Sequence, residues 1–310
     1  MAPGTGRQLI ERLPYHLCKF FWKHSSEGRS LALITVLSTE GSTYSKAGSQ
    51  MLVNDEGNFQ GMLSGGCLEG DLAEHSKLVI TSGVAEVITY DLRADDDVFG
   101  LGVGCEGALR ILIQPLNADA KYEPFASLIA ELKHASHADM VLASAELDLG
   151  ITRIMAPLRL LILGAGQDAD PLVTFAVALG WEVAVSDHRP AAIERLGDSG
   201  AASVQCIPTK DIASHFDLGK FDAVIVMSHN LEADRTYLAT LADAPVDFIG
   251  LLGPPHRRDR LLREIGSAAD KLRGRLRGPV GKQIGGRGPA AIALEIAAEL
   301  QSYFSSDRQS

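Results

Sequence analysis

The sequence predicts an α/β protein built as two successive parts, an N-terminal mixed α/β domain and a C-terminal doubly wound parallel sheet. Three observations predict it. From Arg159 onward, short apolar runs alternate with stretches of helical spacing, the pattern of a parallel sheet covered on both faces. Before residue 117 the strand-like runs are joined by polar turns, with helix-forming stretches at 8–23 and about 68–82. The 310 residues are 46% hydrophobic and 22% charged, enough apolar side chain for about two cores and too much for wholesale disorder.

Residues 8–23 carry apolar groups at helical spacing and predict one helix, or two short ones broken at Pro14. A β-rich run over 29–39 leads into the polar loop 40–48. Residues 50–54 and 59–63 pair as a hairpin around Asp55-Glu56-Gly57-Asn58, and Ser64-Gly65-Gly66-Cys67 opens a helix over about 68–82. Strands at 84–91 and 107–114 flank a glycine-rich loop at 100–107. Residues 116–157 read as helical, then polar at 134–139, then strand-like, so 117–157 is expected to connect domains at 1–116 and 158–305.

In the second part, Arg159–Leu163 (RLLIL) is a strand of the fully buried kind. Gly164-Ala165-Gly166 and a helix to about Gly180 follow it. Strands at 181–186, 203–206, 221–228 and 247–251 then alternate with helices at 190–200 and 231–243. A solvated helix face at 257–273 and a last helix at 289–304 complete the reading.

Charge and cysteine usage exclude several classes. Lys plus Arg number 29 against 39 Asp plus Glu, a net charge of −10, which argues against a general nucleic-acid binder. No run approaches the roughly 20 apolar residues that span a bilayer, and residues 1–12 lack the apolar core of a signal peptide. The expectation is a cytoplasmic protein without membrane contact. Cys18, Cys67, Cys105 and Cys206 lie far apart, with no Cys-x-x-Cys pair, so bridges and a structural zinc are not expected.

Several constellations could carry chemistry. Gly164-x-Gly166-x-x-Ala169 lies between a strand and a helix, and Asp187 ends the next strand: a dinucleotide-binding fingerprint in its proper context, which makes the second domain Rossmann-like. Asp168 and Asp170 complicate the cofactor reading. They either cap the helix or repel the pyrophosphate that its N-terminus would hold. Asp187 either holds a ribose diol or pairs with Arg189. In the first domain, Gly65 and Gly66 let the backbone approach a ligand closely, and a thiol at Cys67 sits where helix dipoles favour a thiolate, a nucleophile or soft metal ligand. The alternative is a small residue buried at a tight turn. Glu69 either orients a ligand or caps the helix. Phe99–Gly107 is a second glycine-rich loop carrying a cysteine, Cys105, and the two loops could converge on one anionic cofactor. Ten Lys and Arg stand against three acids between His256 and Arg287. Most belong to the helix face, but Arg257, Lys282 and Arg287 fall in or beside glycine-containing loops, where doubly wound folds bind ligands.

These blocks, in this order, resemble the XdhC/CoxI family of accessory proteins for molybdenum hydroxylases. The resemblance rests on Gly41-Ser42-Thr43 with Gly48, Met51-Leu52-Val53, Ser64-Gly65-Gly66-Cys67-x-Glu69-Gly70, and the Gly102–Gly107 loop with Leu112–Leu116. Leu163–Gly166, Asp187-His188-Arg189-Pro190, Gly250–Gly253, Pro279–Gly281 and Ile284–Arg287 extend it over nearly the whole chain. It departs at Ala169, where the family usually has glycine, at the acidic pair, and at Pro254-Pro255. The resemblance implies a non-catalytic chaperone that binds molybdenum cofactor, protects its sulfurated form and inserts it into an apo-hydroxylase of the xanthine dehydrogenase type. Cys67 would ligate molybdenum or carry sulfur as a persulfide. Gly65, Gly66, Glu69, Cys105, Gly164, Gly166, Asp187 and Arg287 would help bind the cofactor. A cysteine desulfurase partner and a homodimer are also expected. The alternative is an NAD(P)-linked oxidoreductase on the same fold.

Overall fold

A computed structural model describes residues 10–92, 107–144 and 148–306. The chain divides into two compact units, the boundary falling between Ala156 and Pro157.

The first unit runs β1 (Ile10–Arg12), α1 (Tyr15–Ser26), β2 (Leu31–Gly41), β3 (Gln50–Asn54), β4 (Phe59–Gln60) and α2 (Glu69–Ser82). It continues with β5 (Glu86–Asp91), β6 (Gly107–Leu116), α3 (Phe125–Leu132), β7 (His137–Ala143) and β8 (Asp148–Met155). An antiparallel sheet, β4-β3-β2-β6-β5, forms its centre. The alternation of β2 explains why the run LALITV is apolar throughout. Leu31 and Leu33 face a cluster with Leu17, Phe21 and Phe125, while Ala32, Ile34 and Val36 face Leu68, Leu72 and Val79 of the α2 side. Both faces are covered, so neither face needs polar residues.

Two expectations for this unit change. Residues 10–12 are a strand, not helix: they pair in parallel with β8, and Pro14, unable to donate, sits at the N-cap of α1. The stretch expected as the connector 117–157 forms α3 and the β7–β8 hairpin. Its Leu128, Leu132, Met140 and Ile154 are buried in the cluster shared with β2. The alternating polar residues of 137–155 mark a half-exposed hairpin.

The second unit runs β9 (Arg159–Leu163), α4 (Ala169–Ala178), β10 (Glu182–Asp187), α5 (Pro190–Arg195), β11 (Ser203–Cys206), α6 (Ile212–His215) and β12 (Ala223–Val226). It ends with α7 (Leu231–Ala242), β13 (Phe248–Leu251), α8 (Pro255–Glu264), α9 (Ala268–Lys271), β14 (Leu276–Arg277) and α10 (Pro289–Ser306). The six strands are all parallel in the order β11-β10-β9-β12-β13-β14, so the order reverses between β9 and β12. One face packs on α4 and α10, the other on α7 and α8. The continuous helix expected at 257–273 is broken after Glu264, where Gly266 adopts a positive φ. No helix among the described residues is long and apolar enough to cross a membrane.

Gly164 shows how closely this sheet is built. Its φ is +121°, and a Cβ there would lie 2.6 Å from the backbone of Met227 and Ser228. Gly164→Ala is therefore expected to destabilise the second unit by about 2 kcal/mol or more. Calorimetry would show this as a fall of several degrees in its unfolding temperature; an unchanged transition would disprove the close approach.

Candidate functional site

In the first unit, the turn between β4 and α2 brings Gly65, Gly66, Cys67 and Glu69 together. Glu69 is the residue that shapes it. Its side chain is 3% exposed and turns back from the first turn of α2 beneath the loop. Oε1 accepts from the amides of Leu63 (2.7 Å) and Ser64 (2.8 Å). Oε2 accepts from the Ser64 hydroxyl (2.5 Å) and the Gly66 amide (2.9 Å). Ser64 Oγ in turn accepts from the Leu68 amide at 2.7 Å. Burial alone would raise the carboxyl's pKa, but these donors outweigh it and hold the group below its ordinary value.

Such convergence needs an unusual backbone. Gly65 (φ +76°) and Gly66 (φ +113°) both occupy the left-handed region that side chains resist. Gly65 also lies under the ring of Tyr44, which a Cβ would approach to 3.3 Å. Tyr44 is itself 63% exposed, on the loop that Ser45 ties to this turn through a 2.7 Å bond to the Leu63 carbonyl. The Cys67 thiol is half-buried, so the alternative of a sealed small residue does not hold. The helix N-cap, Leu68, has no side-chain cap, and the two acids of the first turn are occupied: Glu69 as above, Asp71 by the Tyr90 hydroxyl at 2.5 Å. The turn thus offers an accessible thiol beside uncapped helix dipoles.

Cys105 and most of the loop at 100–107 lie outside the described residues. The flanks of that loop are visible. The Leu92 amide bonds the Gly107 carbonyl at 2.9 Å, and Gly107 packs within 3 Å (as a Cβ) of Glu40, Ser42 and Thr43.

In the second unit, Gly164, Gly166 and Asp187 meet at the carboxyl end of β9, as the fingerprint requires. Their chemistry is already satisfied. Asp187 is fully buried and accepts from the Ala165 amide (2.8 Å), the Arg189 amide (2.9 Å), and Arg189 Nε and Nη2 (2.9 and 2.7 Å). Those bonds fill a carboxylate's four acceptor positions, so pairing with Arg189 describes it and a ribose diol finds no place. Burial is again outweighed: the donors keep Asp187 below the usual carboxylate range. Neither Asp168 nor Asp170 caps α4. Asp168 pairs with His229 Nε2 at 2.7 Å, and Asp170 pairs with Arg195, whose guanidinium also binds the Ala165 and Gly166 carbonyls. Asp168 and His229 lie against Gly166, at 2.8 and 3.4 Å from where a Cβ would stand. These residues do not fit the pyrophosphate and ribose of a nicotinamide dinucleotide.

The basic segment is also largely spent within the unit. Arg257 binds the buried Asp234 (2.7 Å), Arg258 the Gly278 carbonyl, and Arg275 the carbonyls of Ala242, Ala244 and Val246. Lys282 reaches Ser302. Arg287 is exposed, without a hydrogen bond or ion pair among the described residues. Sequence reasoning missed Ser45 and Arg195, which act through tertiary contacts that local spacing does not encode, and it named Ser64 without its bonds to Glu69 and Leu68. The pairing of Asp168 with His229 spans 61 residues and is likewise outside the reach of local spacing.

A Rossmann-type parallel sheet whose strand-end acid is already paired, together with a unit that carries the half-buried Cys67 on a glycine turn, defines a two-unit α/β protein. Comparisons with known proteins identify the family. The chain belongs to the XdhC and CoxI family: that family's model matches residues 24–91, and the model of the XdhC Rossmann domain matches residues 160–300. A Bacillus subtilis protein described as a probable xanthine dehydrogenase subunit is 28% identical over 307 residues, spanning 86% of this chain and 91% of that protein. The molybdenum cofactor insertion chaperone PaoD of Escherichia coli is 24% identical, spanning 89% of this chain and 84% of its own. A crystal structure described as a xanthine dehydrogenase from Bacillus halodurans superposes with a TM-score of 0.74 at 26% identity, covering 93% of this chain and 95% of that one.

Glu69 supplies the test of the turn. A carboxyl held below its unfolded pKa stabilises the fold fully above about pH 5 and loses that contribution as pH falls through its folded value. Glu69→Ala should cost about 3 kcal/mol at pH 7, because four donors lose their acceptor. Glu69→Gln should cost less, and both should flatten the acid-side decline in stability measured by urea unfolding between pH 7 and 3. A variant with wild-type stability at pH 7 would overturn the assignment.

Proposed function

We propose that this protein is a molybdenum cofactor insertion chaperone for a molybdenum hydroxylase of the xanthine dehydrogenase type. Its cargo is the sulfurated cofactor, held for delivery and shielded from loss of the terminal sulfur. The observation that carries the reading is the half-buried Cys67 thiol on the Glu69-locked turn at the uncapped start of α2. A thiolate is a soft ligand suited to molybdenum, and it exchanges, which delivery requires. The names carried by the Bacillus subtilis and Escherichia coli relatives support the same cargo and client.

In this reading Gly65 and Gly66 let the cargo approach the backbone, and Glu69 fixes the thiol's direction without touching the cargo. The second unit contributes scaffold through Gly164, Gly166 and Asp187; Arg287 is exposed there without a hydrogen bond or ion pair among the described residues. Nothing in the reading asks the second unit to bind a nucleotide.

The experiment compares wild type with Cys67→Ala and Cys67→Ser after purification from a molybdenum-replete host. Bound cofactor is read as the fluorescence of its oxidised pterin, and transfer as activation of an apo-hydroxylase. Cys67→Ala should lose at least about tenfold in bound pterin and in activation, since removing one good ligand costs about 1.4 kcal/mol or more. Cys67→Ser, a harder and weaker ligand, should lose nearly as much. Retention of wild-type loading and activation by Cys67→Ala would refute the proposal.

A further inference from the structure

The most exposed Tyr, Phe or Trp side chain among the described residues stands on the thiol turn. It is Tyr44, on the loop between β2 and β3. Its ring lies over Gly65, where a Cβ would stand 3.3 Å from Cδ2, 3.5 Å from Cε2 and 3.8 Å from Cγ. Part of the ring thus rests on bare backbone two residues from Cys67, and the remainder is open to solvent. No hydrogen bond or ring contact engages it among the described residues. The loop fixes its position. On one side Thr43 Oγ1 donates to the Ser45 carbonyl at 2.8 Å; on the other, Ser45 Oγ donates to the Leu63 carbonyl at 2.7 Å. The Gly48 amide ties the same loop to the Val36 carbonyl of β2 at 2.8 Å. An aromatic side chain with two rotatable bonds, on a backbone already ordered, loses little freedom on taking up a ligand.

Charge on the two segments that meet here has one sign. Residues 41–48 and 61–68 contain no Asp, Glu or Arg and a single Lys, Lys46. Its side chain is exposed, without a hydrogen bond or ion pair among the described residues. Glu69, the next acid along the chain, is sealed beneath the turn by its four donors. A flat anion reaching these segments meets an aromatic face and a cation, and neither segment offers it a carboxylate. A surface tyrosine by itself needs no ligand. This one is seated on a glycine whose missing side chain admits it, beside an accessible thiol, which pairs a π-face with a soft metal ligand.

We propose that Tyr44 is the stacking platform for the fused pterin ring of the cargo, with Lys46 drawing in its phosphate while Cys67 takes the molybdenum. This rests on the cofactor reading above and deepens it, by assigning the organic part of the cargo to a residue other than the thiol. Stacking on an aromatic ring holds a flat conjugated heterocycle without a directional bond, so the ring is retained while exchange proceeds at the sulfur.

The test titrates the full-length protein with 6-hydroxymethylpterin, a pterin with neither metal nor phosphate, and follows quenching of its fluorescence. Wild type should bind it with a dissociation constant of about a millimolar or tighter. Tyr44→Ala should weaken it at least about fivefold, the usual scale for losing one stacked ring, and Tyr44→Phe should stay within about twofold of wild type. Cys67→Ala should bind it as wild type does, because this probe has no metal. Lys46→Gln should leave the probe unaffected and weaken its phosphate ester about threefold. Loading with the whole cofactor in a molybdenum-replete host separates the platform from the chaperone reading. Full loading of Tyr44→Ala, with Cys67→Ala empty, overturns the platform and leaves the chaperone standing. Full loading of Cys67→Ala, with Tyr44→Ala depleted, refutes the thiol's role and leaves the platform standing. The platform is also overturned if wild type binds no pterin, if Tyr44→Ala binds it as tightly as wild type, or if Tyr44→Phe loses it as Tyr44→Ala does.

Discussion

A carboxylate taken out of water must recover its lost hydration from hydrogen-bond donors, and in this protein Glu69 recovers it from the backbone of a single turn. Four donors converge on it: three amides and one hydroxyl. Few loop conformations bring the amides of residues 63, 64 and 66 to one point, and the one adopted demands positive φ at both Gly65 and Gly66. The constraint propagates. With the turn fixed, Ser64 Oγ is placed to receive the Leu68 amide, α2 starts at Glu69, and Cys67 is left on the outer side of the turn. The thiol is positioned by the loop beneath it, so its exposure and its rigidity have the same cause.

The second unit uses the same device to the opposite end. Asp187 is also buried with four donors, one of them the first amide of the glycine loop, at Ala165. In an open dinucleotide site that strand-end acid keeps an acceptor for the ligand. Here the guanidinium of Arg189 takes it, while Arg195 binds the loop carbonyls and the Asp168–His229 pair lies against Gly166. His229 adopts φ +58° to do so, a backbone conformation that a residue with a Cβ holds only when its surroundings impose it. One buried acid thus shapes the turn that carries Cys67, and the other helps close a fingerprint whose glycines serve packing. Gly164 makes the point: its missing Cβ admits the backbone of Met227 and Ser228, not a phosphate.

What was legible in the sequence follows from the range of each interaction. The strand β9, the Gly164–Gly166 turn and the alternation after it could be read because parallel strands buried on both faces write continuous apolar runs. The Ser-Gly-Gly-Cys turn and the start of α2 near residue 68 were legible for a local reason, two glycines before a helical period. The direction of Glu69 was not. An acid in a first helical turn normally serves the dipole, and only the loop's three-dimensional course lets it reach backwards instead. Strand β1 was hidden because its partner, β8, lies more than a hundred residues away. Asp168 and Asp170 looked like caps for the same reason: their partners, His229 and Arg195, are distant in sequence.

The same distinction governs the charge of the segment 256–287. Counted along the chain it is the most basic part of an acidic protein and invites an anionic partner. In the fold, most of that charge is spent internally. Arg257 neutralises an Asp234 that is 1% exposed and that also holds the Ser228 hydroxyl, and breaking this pair would leave a buried charge alone. Arg275 closes the carbonyls at the end of α7, where a cation meets the negative end of the helix. Arg260, Lys271 and Arg273 each face an acid on the surface. Arg263, Arg277 and Arg287 are the cations of this segment left exposed without a hydrogen bond or ion pair among the described residues. Attraction of an anionic group to this segment therefore rests on where Arg263, Arg277 and Arg287 stand, because a cation already held by a carboxylate or a carbonyl has little field left to offer.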